Sequence, residues 1–178
     1  MPAISIPFFP LPFSLGILLL LVALVRLGRR RYGFVYLFVL AIFWVYALMV
    51  IGMTLFPIVI DNEVRLPLRI NLVPFYIGQP TRFTYMRVLE TVANLLMTVP
   101  FGLLLPLLRP ICPRRFPLVA LGLGFGLELA QLLIALLTGN GSFRVTDIND
   151  VLLNGLGAML GYGLFRLIFR RSIQRQRG

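Results

Sequence analysis

The sequence has no histidine and no lysine, and Cys112 is its only cysteine. A single cysteine excludes a disulfide within the chain. Histidine and cysteine are the usual protein ligands of zinc and haem, so their scarcity argues against either site. Without histidine, neither a Ser-His-Asp nor a Cys-His catalytic set can form. We therefore expect no metal site of this kind, and the composition indicates no particular cofactor.

Acidic residues are also scarce, with six Asp and Glu against 17 basic residues, all of them arginine, for a net charge of +11. In a soluble domain this excess would favour a nucleic-acid partner. Here the arginines form short clusters between long apolar runs, which is typical of the cytoplasmic loops of membrane proteins. We therefore expect no nucleic-acid partner.

Apolar residues make up 59% of the 178 positions, and charged residues only 13%. Soluble domains are roughly half apolar and about a quarter charged. The excess lies in five runs, each long enough for a transmembrane helix. The sequence predicts an all-α, polytopic bundle of about five such helices. The runs are approximately 6–25, 33–60, 88–108, 116–137 and 151–169.

The arginine clusters predict the orientation of these spans. Segments 26–31, 109–115 and 166–178 hold four, three and five arginines and no carboxylate. Five spans place all three segments on one side of the membrane, which the positive-inside rule makes the cytoplasmic side. The predicted topology is N-terminus out and C-terminus in. Arginines follow the first run rather than precede it, so we interpret that run as a retained anchor and not a signal peptide.

Several polar residues lie in or beside the last three runs, where an ionisable group costs about 2.5 to 3.5 kcal/mol. Their spacing of three or four residues places them on shared helix faces. Antiparallel threading brings these faces toward the outer half of the bilayer, so we expect one polar, ligand-binding pocket. Asn71 and Arg144 can converge with these faces from outside the runs. The candidate residues are therefore Asn71, Glu90, Asn94, Glu128, Gln131, Arg144, Asp147, Asp150 and Asn154.

Each candidate also has a purely structural interpretation. Asp147 and Asp150 can cap the start of the fifth helix. Asn94 and Gln131 can hydrogen-bond to neighbouring helices, which is the commoner role of such residues in membranes. Glu128 needs a buried partner under either interpretation. The residues alone leave these alternatives open.

The order and spacing of four motifs closely resemble the VanZ-like family over roughly 71–162. They are Asn-Leu-Val-Pro-Phe at 71–75, Asn94 with Pro-Phe-Gly at 100–102 and Leu-Pro at 105–106, Glu-Leu-Ala-Gln at 128–131, and Arg-Val-Thr-Asp-Ile-Asn-Asp-Val-Leu-Leu-Asn-Gly-Leu-Gly at 144–157. Asn149 stands where many members have Asp. The predicted organisation is two N-terminal helices (1–60), an outer loop (61–87), a VanZ-like domain with three helices (71–165) and a basic cytoplasmic tail (166–178).

The resemblance implies a multi-pass protein of the bacterial inner membrane and cell envelope. The family takes its name from a member linked to resistance to the glycopeptide teicoplanin. Membrane lipids as partners and an anionic or lipid-linked envelope ligand fit this phenotype. From the chemistry of the residues, Arg144 and Arg69 can face the phosphate of such a ligand.

Four functions stay open at this stage. The protein can bind or remodel an envelope lipid, or act as a membrane enzyme through Glu128, Asp147 and Asp150. It can also be a small transporter, which would need a homo-oligomer because five spans are few. Finally, the polar groups can serve only to hold the helices together. No residue is assigned a catalytic role.

Overall fold

The computed structural model describes residues 4–60, 69–74, 85–139 and 145–169. Within these residues, five helices are long and apolar enough to cross a membrane, which confirms the predicted fold class. The helices are α1 (Leu11–Arg29), α2 (Phe34–Leu55), α3 (Tyr85–Leu108), α4 (Phe116–Thr138) and α5 (Ile148–Ile168). Four short strands accompany them: β1 (Ile4–Ile6), β2 (Ile58–Ile60), β3 (Arg69–Asn71) and β4 (Val145–Asp147).

The apolar runs become helices because lipid offers no partner for backbone N–H and C=O groups, which a helix satisfies internally. The five helices have 19 to 24 residues. At about 1.5 Å per residue they extend roughly 28 to 36 Å, which suits a hydrocarbon core of about 30 Å.

Prolines set the ends of the first two helices inside longer apolar runs. Pro12 lies in the first turn of α1, where its missing N–H costs little. Pro57 follows α2 and favours an extended conformation at Phe56, which adopts one. The segments beyond these prolines, β1 and β2, pair antiparallel, with Ile4 opposite Ile60.

The chain divides into two compact units. The first comprises 1–72 and 126–147, and the second 73–125 and 148–178. In the first unit, the Trp44 indole N–H donates to the Gly16 carbonyl at 3.0 Å, which joins α2 to α1. The Gly16 position also lies against the Leu48 side chain, so the glycine allows the two helices to approach closely.

In the second unit, α3 and α5 pack through small residues. A Cβ atom at Gly157 or Gly161 would overlap a backbone carbonyl of α3, and one at Gly102 would overlap the backbone of α5. Close backbone approach is the usual role of glycine between membrane helices. Next to Gly161, the Tyr162 ring of α5 stacks on the Phe116 ring at the start of α4, with centroids 3.9 Å apart.

The predicted outer loop and basic tail fall largely outside the described residues. Within the predicted loop, β3 is an extended segment that pairs in parallel with β4. The described part of the first unit therefore contains two short strand pairs that hydropathy did not predict.

Candidate functional site

The β3–β4 pair positions two of the candidate residues. Its parallel register places Asn71 opposite Asp147. The Asn71 side-chain amide donates to both carboxylate oxygens of Asp147, at 3.0 and 3.1 Å. Hydrogen bonds to a carboxylate are stronger than those between neutral groups, so this contact fixes the acid firmly.

Glu128 extends this arrangement from α4. Its side chain is only 4% exposed, and Oε2 accepts a hydrogen bond from the Asp147 backbone N–H at 3.1 Å. A buried carboxylate needs such donors because its desolvation is otherwise very costly. Asn71, Glu128 and Asp147 thus form one hydrogen-bonded set, which we call the Glu128 cluster. All three belong to the first unit.

Gln131 lies one turn beyond Glu128 on α4. Its amide donates to the Thr54 carbonyl of α2 at 3.1 Å. This contact between two helices of the first unit matches the structural interpretation left open by the sequence. Gln131 therefore contributes to holding α4 against α2 beside the Glu128 cluster.

The second unit contains a different polar contact between α3 and α5. The Asn94 amide donates to the Asp150 carboxylate at 2.6 Å. One turn further on both helices, the Thr98 hydroxyl donates to the backbone carbonyl of Asn154 at 2.7 Å. The Oδ1 atom of Asn154 is buried and accepts no hydrogen bond in the described part of the chain.

Sequence reasoning did not single out Thr98, which is fully buried. Its position four residues after Asn94 on the same helix face was the available signal. A threonine carries no charge, however, and its hydroxyl can bond to its own helix. Burial of this hydroxyl therefore costs little, and the residue was not selected.

One candidate stands apart from these contacts, and another is not described by the structure. The Glu90 side chain is exposed on the first turns of α3. Arg144 lies outside the described residues, as does the side chain of Arg69. The single pocket expected from all nine candidates would need residues of both units. It stays a prediction.

The chemistry of the Glu128 cluster is that of carboxylates held by amide donors. Carboxylate oxygens accept hydrogen bonds, so they suit ligands that carry hydroxyl or ammonium groups. Among the described residues, no group of three or more His, Cys, Asp or Glu could hold a metal ion. A pair of acids can also transfer protons.

One comparison with known proteins gives a match. The model of the VanZ/LLP1 family matches residues 43–170, which confirms the resemblance noted from the motifs. The match begins within α2, earlier than the first motif, and it includes all nine candidate residues. No curated protein and no solved structure matches the chain.

Proposed function

The chain belongs to the VanZ/LLP1 family, and on that basis we propose that it binds the polar headgroup of a bacterial envelope lipid through the Glu128 cluster. The observation that carries the proposal is the buried Glu128 carboxylate, held by the Asp147 N–H beside the Asn71–Asp147 pair. An acid retained within a membrane helix usually has a function or a partner, and here it has a second acid as neighbour.

The surface of α4 supports a lipid as the ligand. Leu129, Leu133 and Leu136 are exposed on the helix that buries Glu128. Exposed leucines on a membrane-spanning helix contact acyl chains, and a lipid can reach the cluster from the same environment. A water-soluble ligand would gain nothing from these apolar contacts.

The acids and the amide favour a headgroup with hydroxyl or amino groups, such as the sugar of a lipid-linked wall precursor. In this proposal the sugar donates to Glu128 and Asp147, while Arg144 pairs with the lipid phosphate. Teicoplanin is a glycopeptide, and glycopeptides act on lipid-linked wall precursors. A protein that binds such a precursor would therefore alter how much of it the antibiotic can reach.

A membrane enzyme is the second candidate function. The hydrogen bond from the Asp147 backbone N–H to the Glu128 carboxylate places a second acidic residue beside Glu128. Paired acidic residues can perform acid–base catalysis, here on a lipid-linked substrate. Turnover of such a substrate by purified protein, lost in Glu128→Gln, would favour the enzyme over the binding protein.

The test compares Glu128→Gln with the wild type in lipid nanodiscs. The glutamine amide keeps an acceptor for the Asp147 N–H, so we expect the thermal unfolding temperature to change little. We expect the amount of co-purified headgroup lipid, measured by native mass spectrometry, to fall about tenfold because a charged acceptor is lost.

Thr138→Val is the matched control, since within the described part of the chain the Thr138 hydroxyl bonds to its own helix at Ile134. This variant should retain the lipid. If Glu128→Gln unfolds at a much lower temperature but still retains the lipid, the cluster is structural and the proposal fails.

A further inference from the structure

A second feature of the first unit lies away from the Glu128 cluster, between α1 and α2. It is an open groove of about 630 Å³, within the size range of small-molecule sites. Its apolar part is formed on α1 by Leu19, Val22, Ala23 and Leu27. Its charged part is formed by Arg26, Arg29 and Arg30, and α2 contributes Trp44.

The groove residues of α1 follow a regular helical spacing. Each of positions 19, 22, 23, 26, 27, 29 and 30 lies three or four residues from another of them, so they form one stripe that runs along the helix to its C-cap at Arg30. At about 1.5 Å per residue the stripe is roughly 16 Å long. It is apolar at the end near Leu19 and cationic at the end near Arg30. A phospholipid would match this stripe, with its acyl chains along the apolar end and its phosphate at the cationic end.

The helical hairpin formed by α1 and α2 carries positive charge with no acidic residue to balance it. The first 60 residues contain four arginines and no Asp or Glu. Arg26, Arg29 and Arg30 are all exposed at the end of a membrane helix. Since no carboxylate of α1 or α2 can neutralise them, an anion from outside the hairpin fits the site best.

Trp44 closes the groove on the α2 side in a fixed orientation. Its indole N–H is held by the Gly16 carbonyl, so the ring presents a firm apolar wall to the groove. An acyl chain lying along Leu19 and Val22 would contact this wall.

We propose that the groove binds one anionic membrane phospholipid, with its phosphate on Arg26, Arg29 and Arg30 and an acyl chain against Trp44. The positive-inside prediction places this lipid in the cytoplasmic leaflet, where basic pockets between membrane helices recognise acidic headgroups. The arginines lie before residue 43, so they are outside the region that matches the family model. The site is therefore a property of the N-terminal hairpin.

The chain supplies its own reporter, because Trp44 is its only tryptophan. The full-length protein is reconstituted in phosphatidylcholine vesicles that contain a small fraction of phosphatidylglycerol with brominated acyl chains, which quench tryptophan fluorescence on contact. We expect quenching well above that from the same fraction of brominated phosphatidylcholine. In Arg26→Gln/Arg29→Gln, the apparent affinity for phosphatidylglycerol should fall about tenfold or more. Millimolar inorganic phosphate should not displace the lipid, because phosphate lacks the acyl chain.

Arg114→Gln/Arg115→Gln is the matched control. It removes the same charge from a different exposed cluster and leaves the groove intact. It should quench like the wild type, and circular dichroism should show equal helicity for all variants. Equal quenching by both brominated lipids, or equal loss in the two double variants, would show that the groove has no specific anionic lipid. If the groove variant loses helicity, the single variants Arg26→Gln and Arg29→Gln replace it, and unchanged quenching in both would overturn the proposal.

Discussion

Asn71 is the residue through which β3 holds the Glu128 cluster, because one amide nitrogen reaches both oxygens of Asp147. Replacing Asn71 with alanine removes these donors from a carboxylate that stays in place. We predict that Asn71→Ala lowers the free energy of unfolding by about 1 to 3 kcal/mol, the usual cost of leaving a partly buried acceptor without its donor. Thermal unfolding in nanodiscs, calibrated with denaturant, measures this change.

The control for this prediction is a double-mutant cycle. In an Asp147→Ala background, Asn71→Ala should cost much less, because the Asp147 carboxylate to which the amide donates is already absent. Equal costs in both backgrounds would show that the Asn71 amide does not stabilise Asp147.

Single residues show how far the sequence predicted the polar contacts. Glu128 and Asp147 were selected because charged groups are expensive near lipid, and Asn71 because it can converge with them from the outer loop. The structure joins all three in one set. Their exact partners could not be predicted, since the Glu128 contact is to a backbone N–H rather than a side chain. Thr98 was missed because an uncharged hydroxyl costs little in a helix that can satisfy it.

Glycine determines how closely α3 and α5 pack. A Cβ atom added at Gly157 would overlap the Leu95 carbonyl. One added at Gly163 would have no neighbouring atom of the described residues within 4 Å. We predict that Gly157→Ala lowers the free energy of unfolding by about 1 to 3 kcal/mol, because the two backbones must move apart. The matched variant Gly163→Ala should change it by less than about 1 kcal/mol. Chemical unfolding of both variants side by side makes the comparison, and similar losses would contradict the packing account.

At the level of elements, the sequence predicted the helices well and the strands not at all. Runs of about 20 apolar residues with few charges form helices in lipid, so hydropathy was enough to predict the five spans that the described residues contain. β2 occupies the end of the run 33–60, where three apolar residues show no periodicity of their own. Its partner, β1, lies more than 50 residues earlier in the chain, and no local pattern indicates such a pairing.

The orientation of the whole molecule is a prediction from arginine distribution, and Cys112 provides a direct test. This only cysteine is exposed and lies in the basic segment 109–115. We predict that a membrane-impermeant maleimide labels Cys112 only after the cells are permeabilised, because the predicted topology places this segment in the cytoplasm.

The control places a thiol on the opposite side of the membrane in the predicted topology. In a Cys112→Ser background, Ser5→Cys introduces a thiol into exposed β1. It should react with the same reagent in intact cells. Labelling of Cys112 in intact cells would reverse the predicted orientation.

For the whole molecule, the sequence motifs indicated the family, whereas composition indicated only the class of protein. Composition and hydropathy predicted a membrane protein with five spans, but these properties are shared by unrelated proteins. The spacing of Glu128, Asp147 and Asn154 within their motifs indicated the family that the family model confirms. The ligand was not predictable, because carboxylates and amides form similar hydrogen bonds with many headgroups.

A comparison of two lipids tests whether the Glu128 cluster recognises a lipid headgroup. The binding of a polyprenyl-phosphate-linked disaccharide and of the bare polyprenyl phosphate is measured in nanodiscs with wild type and Glu128→Gln. We predict that the wild type binds the sugar-bearing lipid about tenfold more tightly than the bare polyprenyl phosphate, and that Glu128→Gln loses this preference. Equal affinity of the wild type for both lipids, or an unchanged preference in Glu128→Gln, would contradict it.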